Sequence, residues 1–164
     1  VSLTPIQTAM IYQAIANKGV RLSPLLVEGC RKADGTFIQT QVPEPVRVIS
    51  ERTSADTIDM LEKVVEKGPI GKTARIAGYR VAGKTGTAQI AEGRGYGRLH
   101  AVSFVGMAPA DDPQYVVAVT AYKSRTISNS LGATPGFVAV MKQVLKTFKV
   151  PPSTTKSKNI PVKW

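Results

Sequence analysis

Ala82-Gly83-Lys84-Thr85-Gly86-Thr87-Ala88-Gln89 sets a lysine, two threonines and a bare glycine in four consecutive positions. The run lies in residues 79–90, which read as a strand, and two more strands are expected at 100–108 and 115–122. Thr85 and Thr87 stand two apart, so on a strand both hydroxyls leave the same face. Two hydroxyls beside the Lys84 ammonium form a clamp for a carboxylate. Gly86 carries no side chain, so another backbone can approach it closely. An open strand edge at this place can pair with an extended peptide. The Thr87 N–H is a candidate oxyanion donor. Lys-Thr-Gly by itself recurs by chance, and the run also reads as an ordinary threonine-rich strand with a solvated lysine.

Outward from this run, residues 91–99 read as a loop because of Gly93, Gly95 and Gly97, and 109–113 as a turn. Residues 115–122 are apolar at nearly every position, which predicts a strand covered on both faces. Short connections make these neighbours antiparallel. Three helices are expected. The first spans 4–18, with Thr4 as N-cap, Pro5 at the first turn, Gln7 completing a capping box and Gly19 as the stop. The second spans 50–67, with Ile58, Leu61, Val64 and Val65 as its stripe and Gly68-Pro69 blocking continuation. The third spans 135–149, where Phe137, Val140, Met141, Val144, Leu145 and Phe148 recur at helical spacing. Between the first two, residues 20–49 hold short extended pieces, best at Phe37-Ile38 and Val46–Ile49. Helices packed on an antiparallel sheet make the expected class α+β. One domain over 1–149 is expected, followed by a disordered basic tail at 150–164, rich in Pro, Ser, Thr and Lys.

Composition excludes several classes. No apolar stretch is long enough to span a bilayer, and no leader is visible at the start. Cys30 is the lone cysteine, so no intrachain disulfide or multi-cysteine metal site can form, and it reads as a small buried hydrophobe. His100 is the lone histidine, too few for a metal centre or a Ser-His-Asp triad; it reads as a strand-start residue near a cleft rim. Neither a metal nor a cofactor is therefore expected. The charge is +11, from 22 Lys and Arg against 11 Asp and Glu. It favours anionic partners, yet aromatics are only 6% and no nucleic-acid motif occurs, so a nucleic-acid partner is not expected. Gly93-Arg94-Gly95-Tyr96-Gly97-Arg98 lacks phosphate-loop spacing and no helix follows. It reads as a mobile loop, with Tyr96 and Arg98 as candidate substrate contacts. Arg75 and Arg80 read as solvated strand residues, and Trp164 as the end of a polar tail.

Five blocks, in order, resemble class B penicillin-binding proteins, the division-type peptidoglycan D,D-transpeptidases. They are Val1–Gln7 with Ala16-Asn17-Lys18-Gly19; Arg47–Ser50 with Val64–Gly68; Ile76–Gln89, which contains the third motif of that family; His100–Pro109; and Pro135-Gly136-Phe137. The resemblance implies part of the penicillin-binding and serine β-lactamase-like fold. It also implies a serine acyl-enzyme that cross-links stem peptides and binds β-lactams. By resemblance, Lys84, Thr85 and Gly86 form the catalytic motif. Lys84 supports charge and proton transfer, Thr85 and Thr87 hold the carboxylate, and the Thr87 N–H completes the oxyanion hole. The implied partners are stem peptides, β-lactams and the division machinery. The implied place is the extracytoplasmic face of the bacterial membrane, with an anchor outside this chain.

The pattern departs in two places. No Ser-x-x-Lys or Ser-x-Asn precedes Lys84. Ser153-Thr154-Thr155-Lys156 and Ser157-Lys158-Asn159 follow it instead, in the wrong order and in the polar tail. The nucleophile is thus expected outside these residues, leaving the chain inactive alone, with an open sheet edge that favours self-association. Asn129-Ser130 stands where relatives carry paired glycines. A catalytically silent β-lactam sensor or scaffold of the same fold is the alternative, and a serine β-lactamase fits less well.

Overall fold

The computed structural model describes residues 3–93, 95–124 and 130–162. The expectations for Val1-Ser2, Arg94, Asn129 and Trp164 therefore lie outside the described residues.

Helix α1 spans Pro5–Ala16. The Thr4 side chain accepts from the Gln7 N–H at 3.3 Å and the Thr4 N–H donates to Gln7 Oε1 at 2.8 Å, the reciprocal capping box read from the sequence. Past Ala16 the chain turns at Lys18 and Gly19, both with positive φ. Four short strands follow in two antiparallel pairs: β1 (Val20–Arg21) with β4 (Val46–Arg47), and β2 (Gly29–Arg31) with β3 (Phe37–Gln39). Cys30 sits in the second pair and is exposed rather than buried, because among the described residues that hairpin packs chiefly on itself. Helix α2 spans Glu51–Lys67, and the Ser50 side chain accepts from the Thr53 N–H.

The main sheet has the order β5-β6-β7, all antiparallel: Ala82–Glu92, Gly95–Ala108 and Tyr115–Ser124. Both outer strands hydrogen-bond to β6 alone, so each leaves one unpaired edge among the described residues. Most of the expected loop at 91–99 is instead strand, with 91–92 in β5 and 95–99 in β6. The ladder continues to Ala91↔Tyr96 and Glu92↔Gly95 after an irregularity between Gln89 and Ala91. Gly93, at φ +62°, supplies the left-handed conformation that a tight hairpin needs. The glycines mark one turn and a bulged strand, not nine residues of loop. His100 accordingly lies inside β6, opposite Gln89, and not at the start of a strand.

Helix α3 (Thr134–Thr147) covers one face of the sheet and α1 with α2 the other. The α3 side holds Phe104, Ala108, Phe137, Met141 and Leu145, closed at one end by Val65, Ile76 and Val81. The opposite side gathers Ala82 and Met107 under Tyr12, Ile15, Ile58 and Leu61. Strand β7 thus meets helices on both faces, as its apolar run predicts. Gly83 and Gly106 are paired across β5 and β6. A Cβ at Gly106 would come within 2.9 Å of the Phe137 ring, and one at Gly83 within 2.7 Å of the Phe104 ring. These absent side chains let the two rings meet at 4.7 Å, tilted by 58°.

The segment expected to be a disordered tail is instead held against the domain through residues 150–162. The Tyr79 hydroxyl donates to the Val150 carbonyl at 2.7 Å, and the Ser153 N–H to Gly78 O at 3.0 Å. The Ser153 hydroxyl donates to Asp111 Oδ1 at 2.7 Å and Thr155 to Asp111 Oδ2 at 2.9 Å. Ser157 donates to Glu66, and Lys158 Nζ to Asp59 Oδ2 at 2.6 Å. A polar sequence with few apolar residues reads as disordered because its partners are carboxylates distant in the chain.

Arg80 is likewise not a solvated residue. Its Nε and Nη2 donate to the two oxygens of Glu62 at 2.6 and 2.7 Å, and Glu62 is buried. Arg75 donates to the Glu66 carbonyl.

Two carboxylates of the tail contacts titrate low. Burial alone would raise Asp111, but the Ser153 and Thr155 hydroxyls outweigh it and hold it below the usual carboxylate range. Burial likewise opposes the Lys63 ammonium and the Ser157 hydroxyl at Glu66, and the net shift is downward. A depressed folded value means that the stabilisation is complete above the unfolded value and is lost as pH falls through the folded one. The tail contacts are therefore expected to hold at neutral pH. They should weaken below the ordinary carboxyl values, about 3.9 for Asp and 4.3 for Glu. Amide exchange of residues 153–158 across pH, corrected for intrinsic rates, measures this; protection unchanged well below pH 3 would contradict it.

Candidate active site

Strand β5 places the motif by running out of the core. Ala82 and Gly83 are buried, Lys84 is exposed and Thr85 half-buried. Register fixes the faces. Lys84 is opposite Val105, Thr85 opposite Phe104, Gly86 opposite Ser103 and Thr87 opposite Val102. Thr85 and Thr87 therefore share the α3 face, while Lys84 starts from the α1–α2 face. The lysine then curls around the strand, so that its Nζ donates to Thr85 O at 3.0 Å and to Thr85 Oγ1 at 3.3 Å. Ammonium and hydroxyl are thus brought together on the open edge of β5. Thr87 is exposed on the same strand, two residues on.

Gly86 has a neighbour that explains it independently of any ligand: a Cβ there would lie 2.5 Å from Ser103 Oγ. Lys84 and Thr85 border a cavity of about 770 Å³, enclosed further by Lys63, Val64 and Lys67 of α2, the turn through Gly68 and Gly71, and Ile160, Pro161 and Val162. Lys63, Lys67 and Lys84 line it with no acid among the described residues; Lys63 Nζ is committed to Glu66 at 2.6 Å, so Lys67 and Lys84 supply the charge that favours an anionic occupant.

Not every expected residue joins this group. Tyr96 is exposed opposite Ala91, and Arg98 is exposed beside the strand irregularity. Four residues of extended strand, about 13 Å, separate Thr87 from Ala91. The structure therefore sets Tyr96 and Arg98 along the hairpin and not beside Lys84. The two serines of the tail are occupied. Ser153 accepts from the Arg80 N–H at 2.9 Å while donating to Asp111, and Ser157 accepts from Lys63 Nζ at 3.1 Å. Among the described residues, no three His, Cys, Asp or Glu gather where a metal could bind, and no helix is long and apolar enough to cross a membrane. Sequence reasoning missed the arrival of Ile160–Val162 at the cavity. The one available signal was the alternation of Ser153, Thr155 and Ser157, which points three hydroxyls to one side of an extended chain.

Comparison with known proteins agrees with this architecture. The family described as penicillin binding protein transpeptidase domain matches residues 1–143. Penicillin-binding protein PbpB of Mycolicibacterium smegmatis is 37% identical over 162 residues, which is 92% of this chain and 25% of that protein. Stage V sporulation protein D of Bacillus subtilis is 43% identical over 122 residues, 73% of this chain and 19% of that protein. The chain thus spans about a quarter or less of the length of these relatives. Among solved structures, penicillin binding protein 3 of Mycobacterium tuberculosis in complex with ampicillin superposes with a TM-score of 0.80 at 32% identity, over 95% of this chain and 37% of that one. A peptidoglycan synthetase from Bifidobacterium adolescentis gives 0.85 at 26% identity, over 97% and 30%. On the sequence blocks, the antiparallel sheet with its helices and these matches together, the chain belongs to the penicillin-binding protein transpeptidase family, in its class B branch.

Proposed function

We propose that this chain is the C-terminal part of a peptidoglycan D,D-transpeptidase and supplies the strand that grips the donor peptide. The observation that carries this reading is the convergence of Lys84 Nζ on Thr85 Oγ1, 3.3 Å apart on an open strand edge beside a lysine-lined cavity. Lys84 and Thr85 hold the terminal carboxylate of the stem peptide, with Thr87 extending the clamp. The Thr87 N–H stabilises the oxyanion of the tetrahedral intermediate. Gly86 keeps the strand narrow where the peptide lies alongside. Tyr96 and Arg98 serve any part of the substrate that extends along the hairpin. The attacking serine and the lysine that activates it come from outside residues 1–164. The assembled enzyme works on the extracytoplasmic face of the membrane with the division machinery, and β-lactams acylate its serine.

The test is direct. Intact mass of the 164-residue chain after incubation with benzylpenicillin should be unchanged. A covalent adduct would place a competent nucleophile within the chain and overturn the assignment, with Ser153 the first residue to map. In a longer polypeptide that includes the missing segment, Lys84→Ala should slow acylation by about 10²–10³-fold, the loss typical of removing one preorganised electrostatic donor. Acylation at the unaltered rate would remove Lys84 from the site.

A further inference from the structure

The C-terminal segment does more than cover the domain, because its path ends at the clamp. Ser153, Thr155 and Ser157 alternate along an extended chain and turn their hydroxyls inward, onto Asp111 and Glu66. Lys158 then bonds Asp59 at 2.6 Å. Two residues further on, Ile160, Pro161 and Val162 form a wall of the cavity that holds Lys84 and Thr85. The anchors lie on helix α2 (Asp59 and Glu66) and on the turn between β6 and β7 (Asp111), so the position of 160–162 follows from the domain itself and not from the tail's own propensity. The anchors are polar and partly exposed, while the wall they deliver is apolar. A segment held in this manner can leave without unfolding the sheet.

We propose that residues 153–162 are a latch over the Lys84–Thr85 clamp: when docked, Ile160–Val162 close one side of it to an anionic peptide end, and when released they open it. This rests on the carboxylate-clamp reading given above. The occupant being gated is a peptide carboxylate, the anion that an ammonium and a hydroxyl on a strand edge suit. Docking and binding then oppose each other, so the ligand's affinity falls by the fraction of molecules whose latch is closed.

The experiment uses the isotopically labelled 164-residue chain, a version ending at Pro152, and the 164-residue variant Ile160→Gln, which keeps every anchor and adds no charge beside Lys84. Amide signals of Lys84 and Thr85 are recorded in each, with Phe137 and Met141 on the far side of the sheet reporting that the fold is intact. N-acetyl-D-alanyl-D-alanine is then titrated into all three. The latch predicts shifted Lys84 and Thr85 signals in both altered chains, unmoved Phe137 and Met141 signals, and a severalfold lower Kd for the peptide. Unmoved Lys84 and Thr85 signals would overturn the contact itself. Shifted signals with equal or weaker peptide binding would overturn the gating. Shifted signals with no binding by any of the three chains would remove the clamp, and the gating with it, while leaving the strap docked.

Discussion

Glu62→Ala is expected to cost about 3–5 kcal/mol of folding stability, the loss typical when one partner of a buried ion pair is removed. Glu62 is 1% exposed, and both of its oxygens are taken by Arg80 at 2.6 and 2.7 Å. Deleting the carboxylate strands a guanidinium whose side chain is only 15% exposed. The damage spreads, because Arg80 also donates from Nη1 to Thr155 and from its backbone N–H to Ser153. The loss is therefore coupled to the C-terminal segment, and a double change with Thr155→Ala should cost less than the sum of the two. Glu62→Gln keeps the shape and one acceptor, so its cost should be smaller. Urea denaturation at neutral pH measures all three. A loss under about 1 kcal/mol for Glu62→Ala would mean that the pair behaves as a solvated surface bridge.

Phe137→Ala should cost a similar amount, about 3–5 kcal/mol, by removing a ring and leaving a cavity. Phe137 is fully buried in α3 and packs on Phe104 above the paired glycines of β5 and β6. The cavity cannot easily refill, because its floor is backbone: Gly106 has no side chain to swing inward. Phe137→Leu should recover part of the loss. A change in the urea midpoint with the slope preserved would mark a true loss of stability. A cost below about 1.5 kcal/mol for Phe137→Ala would show that the sheet and α3 close over the gap.

What was legible in the sequence follows from range. The Thr4–Gln7 box and the α3 stripe of Phe137, Met141 and Leu145 are local patterns, and the structure contains both. The shared face of Thr85 and Thr87 follows from strand period alone. The contact of Lys84 with Thr85 does not, because the lysine begins on the other face and reaches back through its flexible stem. Gly93, Gly95 and Gly97 suggested a long loop; pairing with β5 overrode that composition. The tail was illegible for a stronger reason. Ser153 meets Asp111 across 42 positions and Ser157 meets Glu66 across 91, and no window of neighbouring residues reveals such partners. Arg80 was misread on the same ground, its partner lying 18 residues earlier on another element.

The edge of β7 that is left unpaired among the described residues has a thermodynamic meaning. Its outward N–H and C=O groups belong to a ten-residue strand with helices on both faces, so they are satisfied by water until another strand arrives. Any strand that binds there adds stability by mass action, as a ligand does. Carried on the same polypeptide, that strand acts at an effective concentration of about millimolar; supplied by a second molecule, it acts only at the protein's own concentration. The midpoint of unfolding for this chain is then a function of what stands beside it, and it should rise with protein concentration wherever two copies share that edge.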